Sequence, residues 1–410
     1  MRAKRSLLSV GSAGAVLLIV LLLFSSIGLS AEKTQQEKGH PKILNIGCIG
    51  ALTGFAAPGE MPMVQGSQVA EDWINEKGGI TIKGEKYRVK LVTEDHKSTA
   101  EGAASAATKL VHDQKVKFII GGVMPFTNIA IRSVTEPAKV LNAGIYNVGT
   151  PDEYGLKTPY TFVTMNGTIE GMYTMLDYIS QAHREVKKIA VLIPEDGSIP
   201  HLQPRIVQIA KDRGMIVADV IGWALDTVDF TPIAKKALAR NPDGICMING
   251  WPSMTGGILK VARQLGYTKP IWVTSYQPAD DTLKVSGKEA STGFYLQGLL
   301  ANDPKNPPLV TEIFRRLKAK FGHENIYYSS VGFDNLWMMV QAIEAAQSFD
   351  PTVVKNKWEK MSAMKSVWGA AHLGGLKTYG IKHTMSHPIP VISYVNAEPK
   401  TMKWMDIITP

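Results

Sequence analysis

A chain of 410 residues, 45% of them hydrophobic and with no low-complexity tract, has ample material for two globular domains and an ordinary soluble composition apart from its N-terminus. The formal net charge of +9 is modest and spread out, and no Lys/Arg cluster is interleaved with aromatics, which argues against a nucleic-acid partner. Cys48 and Cys246 are the only cysteines and lie inside apolar runs in different halves of the chain. Two buried free thiols are expected, since a disulfide would require their strands to be neighbours.

Taken in order, residues 1–31 carry Arg2, Lys4 and Arg5, an apolar run from Ala13 to Leu23, and the small residues Ser25, Ser26, Gly28 and Ser30. That sequence of basic, apolar and small residues predicts a secretory signal peptide cleaved after Ser30 or Ala31, with an uncleaved membrane anchor as the alternative. Residues 32–41 are polar and read as a mobile lead-in. A strand is then expected over Ile43 to Ile49. Val69, Ala70, Trp73 and Ile74 share one helical face, in a helix that stops at Lys77, Gly78 and Gly79. Tyr87 to Thr93 alternates as a second strand, and Glu94 to Ser98 form its end loop, whose charges read as rim charges or as part of a salt network beside a hinge. Ala103 to Val111 reads as helix, Phe118 to Ile120 as strand, Ile129 to Leu141 as helix and Ala143 to Val148 as strand. After an extended run at Thr158 to Thr164 the alternation resumes, with strands at Ile189 to Ile193, Ile216 to Gly222, Gly244 to Ile248 and Ile271 to Thr274. This is the βαβ pattern of a doubly wound parallel sheet, present twice. Gly293 to Leu300 is strand-like, and Leu336, Met339, Val340 and Ile343 mark a long helix. Ile389 to Val395 and Met402 to Ile408 read as late strands that complete the sheets.

The stretch that organises the rest is KFIIGGVMPFTNIA, Lys117 to Ala130. Phe118 to Ile120 reads as a strand buried on both faces, stopped by Gly121 and Gly122. A helix is expected from Ile129, with Thr127 or Asn128 as its N-cap and unpaired N–H groups facing the loop. In open α/β sheets such strand-end loops line the ligand crevice, where glycines admit the backbone and helix N-termini favour anions. Thr53, after the first strand, reaches the same crevice.

An ordered series of segments carries a family likeness. ALTGFAAPGE, INEKGGITIKGEKYRVKLVTEDHKS and KFIIGGV, then TPYTFVT, KKIAVLIPEDGS, DGICMINGW and KVARQLGYTKPIWV, resembles the type I periplasmic solute-binding proteins, the Leu/Ile/Val-binding family of ABC importers. The likeness runs from about Ile43 to Ile408. It implies an α/β fold of two flavodoxin-like lobes joined by a three-segment hinge, closing on a ligand. The first lobe would hold 42–160 and 298–368, and the second 165–292 and 376–410, with crossings near 161–164, 293–297 and 369–375. It also implies a periplasmic monomer, without cofactor, that hands a small molecule to a membrane permease. The expected ligand-binding residues are Thr53, Phe126, Thr127, Gly149 and Thr150 from the first lobe, and Asp196, Ser198, Trp251, Tyr276 and Gln277 from the second.

Amino-acid binders of that family hold the α-carboxylate with small hydroxyl residues in the loop matching Met124 to Thr127, and the ammonium with an acid near Tyr276 and Gln277. This chain has Met-Pro-Phe-Thr in the first position and Ser275-Tyr276-Gln277 in the second. A buried ammonium without an acidic partner costs several kcal/mol, although Asp196 or the more distant Asp280 remains available. The departures point to a carboxylate with an apolar or aromatic body. Thr150 and helix N-termini would take the charge, and Phe126, Trp251 and Tyr276 would pack on the body, core or lobe–lobe packing being the alternative for these rings. No Gly-x-Ser-x-Gly elbow, His-Glu-x-x-His, phosphate loop or zinc-type Cys/His set is present to support an enzyme. His372, His383 and His387 read as flexible surface histidines in a turn-rich tail rather than metal ligands. A sensor ectodomain of the same fold would be expected to continue into a membrane span and signalling domain beyond Pro410, and a cytoplasmic regulator to lack the N-terminal apolar segment.

Overall fold

Apolar runs that end in glycine become parallel strands, and the stripes between them become helices. The computed structural model describes residues 41–150, 153–323, 325–406 and 409–410; the signal segment, most of the lead-in and Ile407 and Ile408 lie outside the described residues. In chain order the first elements are β1 (Lys42–Gly50), α1 (Ala57–Glu76), β2 (Ile80–Ile82), β3 (Glu85–Asp95), α2 (Ala100–Thr108), β4 (Phe118–Gly121), α3 (Pro125–Thr135), β5 (Leu141–Gly144) and β6 (Thr161–Val163). They are followed by α4 (Thr168–Ala182), β7 (Lys188–Pro194), α5 (Ile199–Lys211), β8 (Ile216–Trp223), α6 (Thr231–Leu238), β9 (Gly244–Met247), α7 (Pro252–Gln264), β10 (Ile271–Tyr276), α8 (Ala279–Ser286) and β11 (Phe294–Gln297). The last part holds α9 (Pro308–Phe321), α10 (Ile326–Ala346), α11 (Pro351–Trp358), β12 (Met364–Ser366), β13 (Gly369–Gly374), α12 (Leu376–Tyr379), β14 (Thr384–Ser386), β15 (Ile389–Val395) and β16 (Glu398–Met405).

Two sheets result, each with its helices forming one lobe. The first has the order β12-β13-β14-β6-β5-β4-β1-β3-β2, and the second β16-β15-β11-β10-β9-β7-β8. Their centres are parallel, as β1 with β3 and β4 and β10 with β9 and β11; antiparallel strands close both edges of the first sheet and one edge of the second, whose other edge is β8, parallel to β7. Three expectations need correction. The helix expected over Ile129 to Leu141 is α3, which begins at Pro125 because proline at the first helical position has the right φ and no N–H to leave unpaired. Leu141 instead opens β5, opposite Phe118. The third crossing is not at 369–375: β13 and β14 both pair within the first sheet, and the chain changes sheet at 387–388, before β15. The segments expected as the other two crossings are strands within one sheet each, β6 in the first and β11 in the second. The chain leaves the first sheet after β6 and returns to it only after β11.

The core of the first lobe is built around α10, of which 16 of 21 residues are buried; a helix apolar on most sides belongs inside. It crosses α1 at backbone contact. A Cβ on Gly66 would lie 1.9 Å from the Ser329 carbonyl oxygen, and one on Gly332 1.8 Å from that of Met63, so only glycine fits at either position. Ser67 Oγ adds a hydrogen bond to the Gly332 carbonyl at 2.8 Å. The second lobe packs Val191, Ile193, Cys246 and Trp272 of its central strands against α4 and α5. Cys48 and Cys246 sit in different sheets as buried free thiols, and burial raises Cys48 to about 12. Among the described residues no helix is long and apolar enough to cross a membrane.

Candidate functional site

The first lobe presents the loops that follow β1, β4 and β5, each pinned by a carboxylate or an amide. Asp95 at the end of β3 accepts the Thr53 hydroxyl (2.6 Å) and the backbone N–H groups of Leu52 (2.9 Å) and Lys97 (2.8 Å). Burial opposes its ionisation, but these hydrogen bonds outweigh burial and hold the carboxyl below its usual range. Thr53 is exposed with its hydroxyl already engaged. The charges after β3 divide: Asp95 holds the loop, Glu94 pairs with Lys109 at 2.7 Å, and His96 is fully buried against Glu60 at 2.7 Å.

After β4, the N-cap of α3 is Met124, with no side-chain cap. The Thr127 hydroxyl turns back to the Met124 carbonyl (2.9 Å) and the side chain is buried, whereas Phe126 is 38% exposed. The loop after β5 is held from behind by Glu153, which accepts the N–H groups of Val148 (2.8 Å) and Gly149 (3.2 Å), and by Asn128, which donates to the Tyr146 carbonyl (2.9 Å). Thr150 Oγ1 accepts the Glu153 N–H at 3.3 Å.

In the second lobe, Asp196 is exposed and its Oδ1 accepts the hydroxyl and the N–H of buried Ser198. Trp251 is the N-cap of α7, again without a side-chain cap, and its ring lies against Gly59 of α1, 3.0 Å from where a Cβ would stand. Gln277 turns into its own lobe: its Oε1 accepts the hydroxyls of Thr255 (2.7 Å) and Thr282 (3.0 Å), and its Nε2 donates to the Gly250 carbonyl (2.7 Å). It braces strand-end loops and is wholly buried.

Tyr276 is buried at the seam between the lobes. Its ring stacks on Tyr327 of α10 (5.2 Å, 29°), meets Trp368 edge-on (5.7 Å) and lies 6.5 Å from His387. Burial raises its hydroxyl well above the ordinary tyrosine value, with Asp334 adding to the shift. Asp334 is itself buried; its Oδ1 accepts the Val367 N–H at 2.8 Å, and burial raises the carboxyl well above the ordinary aspartate range. A second bridge joins Tyr146 of the first lobe to Thr168 and Asn249 of the second. Sequence reasoning passed over Tyr146, Tyr327, Asp334 and Trp368. Tyr146 lay in what read as the end of a strand, and Tyr327 in a helix about fifty residues from Tyr276.

The histidines correct another expectation. His383 and His387 are buried, because the tail inserts β13 and β14 into the first sheet instead of wandering over the surface. His383 stacks on Phe162 at 3.8 Å, with its ring nitrogens bonded to the Thr161 carbonyl and Glu359. His387 stacks on Trp368 at 5.2 Å, and burial lowers it to about 4. Among the described residues no group of three or more His, Cys, Asp or Glu could hold a metal ion. Beside Tyr327 runs a groove of about 840 Å³, walled by 278–281 and 398–401 of the second lobe, by 299–305, and by Phe314 and Ile326 of the first.

A family model described as periplasmic binding protein matches residues 44–398. In sequence the chain is 25% identical over 339 residues to an amino acid binding protein of Pseudomonas aeruginosa, covering 79% of this chain and 84% of that one. In structure it is similar to the leucine-binding protein LivK of Thermotoga maritima, with 22% identity, a TM-score of 0.70, and 90% of this chain and 99% of that chain covered. It is also similar to an ABC transporter solute-binding protein of Rhodopseudomonas palustris in complex with 3,4-dihydroxybenzoic acid, with 18% identity, a TM-score of 0.70, and 89% and 98% covered. At these identities the structural likeness is one of fold.

Proposed function

Because the chain belongs to the periplasmic binding protein family, we propose that it is the extracytoplasmic binding protein of an ABC importer. It encloses a carboxylate with an aromatic or apolar body and presents it, as a monomer, to a membrane permease. The observation that carries this reading is the seam between the lobes, where Trp251, Tyr276 and Tyr327 supply aromatic faces. The N-termini of α3 and α7 begin at strand-end loops without side-chain caps, so their first N–H groups favour an anion. Thr150 adds a hydroxyl beside Gly149, and Phe126 an exposed ring; Thr53, Thr127, Ser198 and Gln277 shape the loops around the ligand. A ligand touching both lobes stabilises the closed arrangement by its differential affinity for it, and the permease reads that arrangement.

An amino acid is the competing reading, with exposed Asp196 as the acid for its ammonium. One structural relative is named for leucine and another was solved with an aromatic acid, so both classes belong in the test. A thermal-shift screen of amino acids, aromatic acids, short aliphatic acids and small amides separates them. Ligand at about a hundred times its Kd adds roughly 2.7 kcal/mol of stability, a readable shift in Tm. Aromatic acids are expected to give the largest shift; a response confined to leucine or valine would contradict the proposal.

A further inference from the structure

Tyr146, Thr168 and Asn249 close a triangle of oxygens across the cleft. Tyr146, just past β5, belongs to the first lobe; Thr168 opens α4 and Asn249 follows β9 in the second. The Tyr146 hydroxyl lies 3.0 Å from Asn249 Oδ1, the Thr168 hydroxyl lies 2.8 Å from the same oxygen, and the two hydroxyls are 2.8 Å apart. Asn249 holds a left-handed backbone at φ +58°, a conformation that asparagine tolerates better than most residues. On the first-lobe side the tyrosine is fixed through its own carbonyl, which accepts from Asn128 Nδ2 at 2.9 Å. The bridge is therefore anchored at both ends. It lies between the loops of the two lobes, and protein groups supply all its polar atoms.

We propose that Tyr146 is a specificity-determining residue, whose hydroxyl bridges the lobes through Thr168 and Asn249 and so replaces a polar group that a ligand would otherwise bring to close them. Resting on the carboxylate reading above, this assigns the site to acids without an ammonium: the protein makes the cross-lobe polar contact, and the ligand needs only its charge and an apolar body. Free protein holding this bridge spends more time closed, and a ligand for the closed state then binds more tightly in proportion to that population.

The test compares wild type, Tyr146→Phe, Asn249→Gly and the double variant, the glycine keeping the left-handed backbone accessible. Small-angle scattering of the unliganded proteins gives the radius of gyration, and calorimetric titration with benzoate and with leucine gives the affinities. Both variants are expected to show a larger radius of gyration than wild type and about tenfold weaker benzoate binding, the double variant being no worse than either single one because all three act on one bridge. An unchanged radius together with benzoate affinity within about twofold of wild type would overturn the proposal. If wild type binds leucine and not benzoate, the carboxylate reading fails; the bridge is then judged by the radius of gyration alone, and an unchanged value in both variants refutes it.

Discussion

Two buried seams differ in kind. Where α1 crosses α10, backbone meets backbone over Gly66 and Gly332, and the polar group of Ser67 is spent on the Gly332 carbonyl. Where the lobes meet, large rings and polar side chains face each other. Among the described residues, the Tyr276 hydroxyl, Asp334 Oδ2, both amide atoms of Asn147 and Asn166 Nδ2 have no protein partner there. The first seam is built for permanence, since nothing can enter it and little can be altered. The first seam has partnerless atoms as well, Ser329 Oγ and Trp73 Nε1, so the contrast lies in the packing: backbone against backbone in the first, rings and polar side chains in the second, as the clamp proposed above requires.

The sharpest way to break the first seam is Gly332→Ala. A Cβ driven against the Met63 carbonyl must force two long helices apart, and the expected loss is about 3 kcal/mol in chemical denaturation, with ligand affinity of the folded fraction unchanged. A loss below about 1 kcal/mol would mean that the helices slide freely. The second seam is expected to be the pH-sensitive one. The pKa of His387 is depressed in the folded state, so the stability it contributes is present above about pH 6.5 and is lost as pH falls toward about 4. The full swing is about 3 kcal/mol, and His387→Gln should flatten that part of the stability profile.

Trp251→Ala tests whether the ring that reaches Gly59 serves binding rather than folding. Calorimetric affinity for an aromatic acid should fall by roughly 2 kcal/mol, with a smaller change in Tm. Equal losses in both would reassign the ring to lobe–lobe packing. Asp334→Asn acts only through pH. The folded carboxyl titrates above its unfolded value, so wild type loses stability as pH rises from about 4 toward that folded value. The variant should match wild type near pH 4 and gain on it progressively at higher pH; a variant worse at every pH would show Asp334 ionised and paired.

The parallel framework was legible because its signals are local. Phe118 to Gly121 is a buried strand, as a short apolar run stopped by glycine implies, and the helix through Trp73 ends where its glycines stand. The start of α3 was misread because Thr127 and Asn128 look like caps while Pro125 already satisfies the first turn. Much of the cleft was not legible. Tyr276 meets Tyr327, Trp368 and His387 through two sheets and three changes of sheet, and no spacing in the sequence encodes such a meeting. His387 looked like a surface histidine because the short strands β13 and β14, which carry it inside, are too brief to announce themselves. Gln277 had the right address at a strand end, but two threonine hydroxyls and a carbonyl within its own lobe claim its amide.

The most direct measurement is a calorimetric titration of the purified wild-type protein with 3,4-dihydroxybenzoate and, separately, with leucine under the same conditions. The account predicts saturable one-to-one binding of the aromatic acid at least about tenfold tighter than leucine, a difference of about 1.4 kcal/mol. Leucine bound tightly with no heat from the aromatic acid would contradict it, and would make Asp196 the partner of an ammonium in an amino-acid clamp.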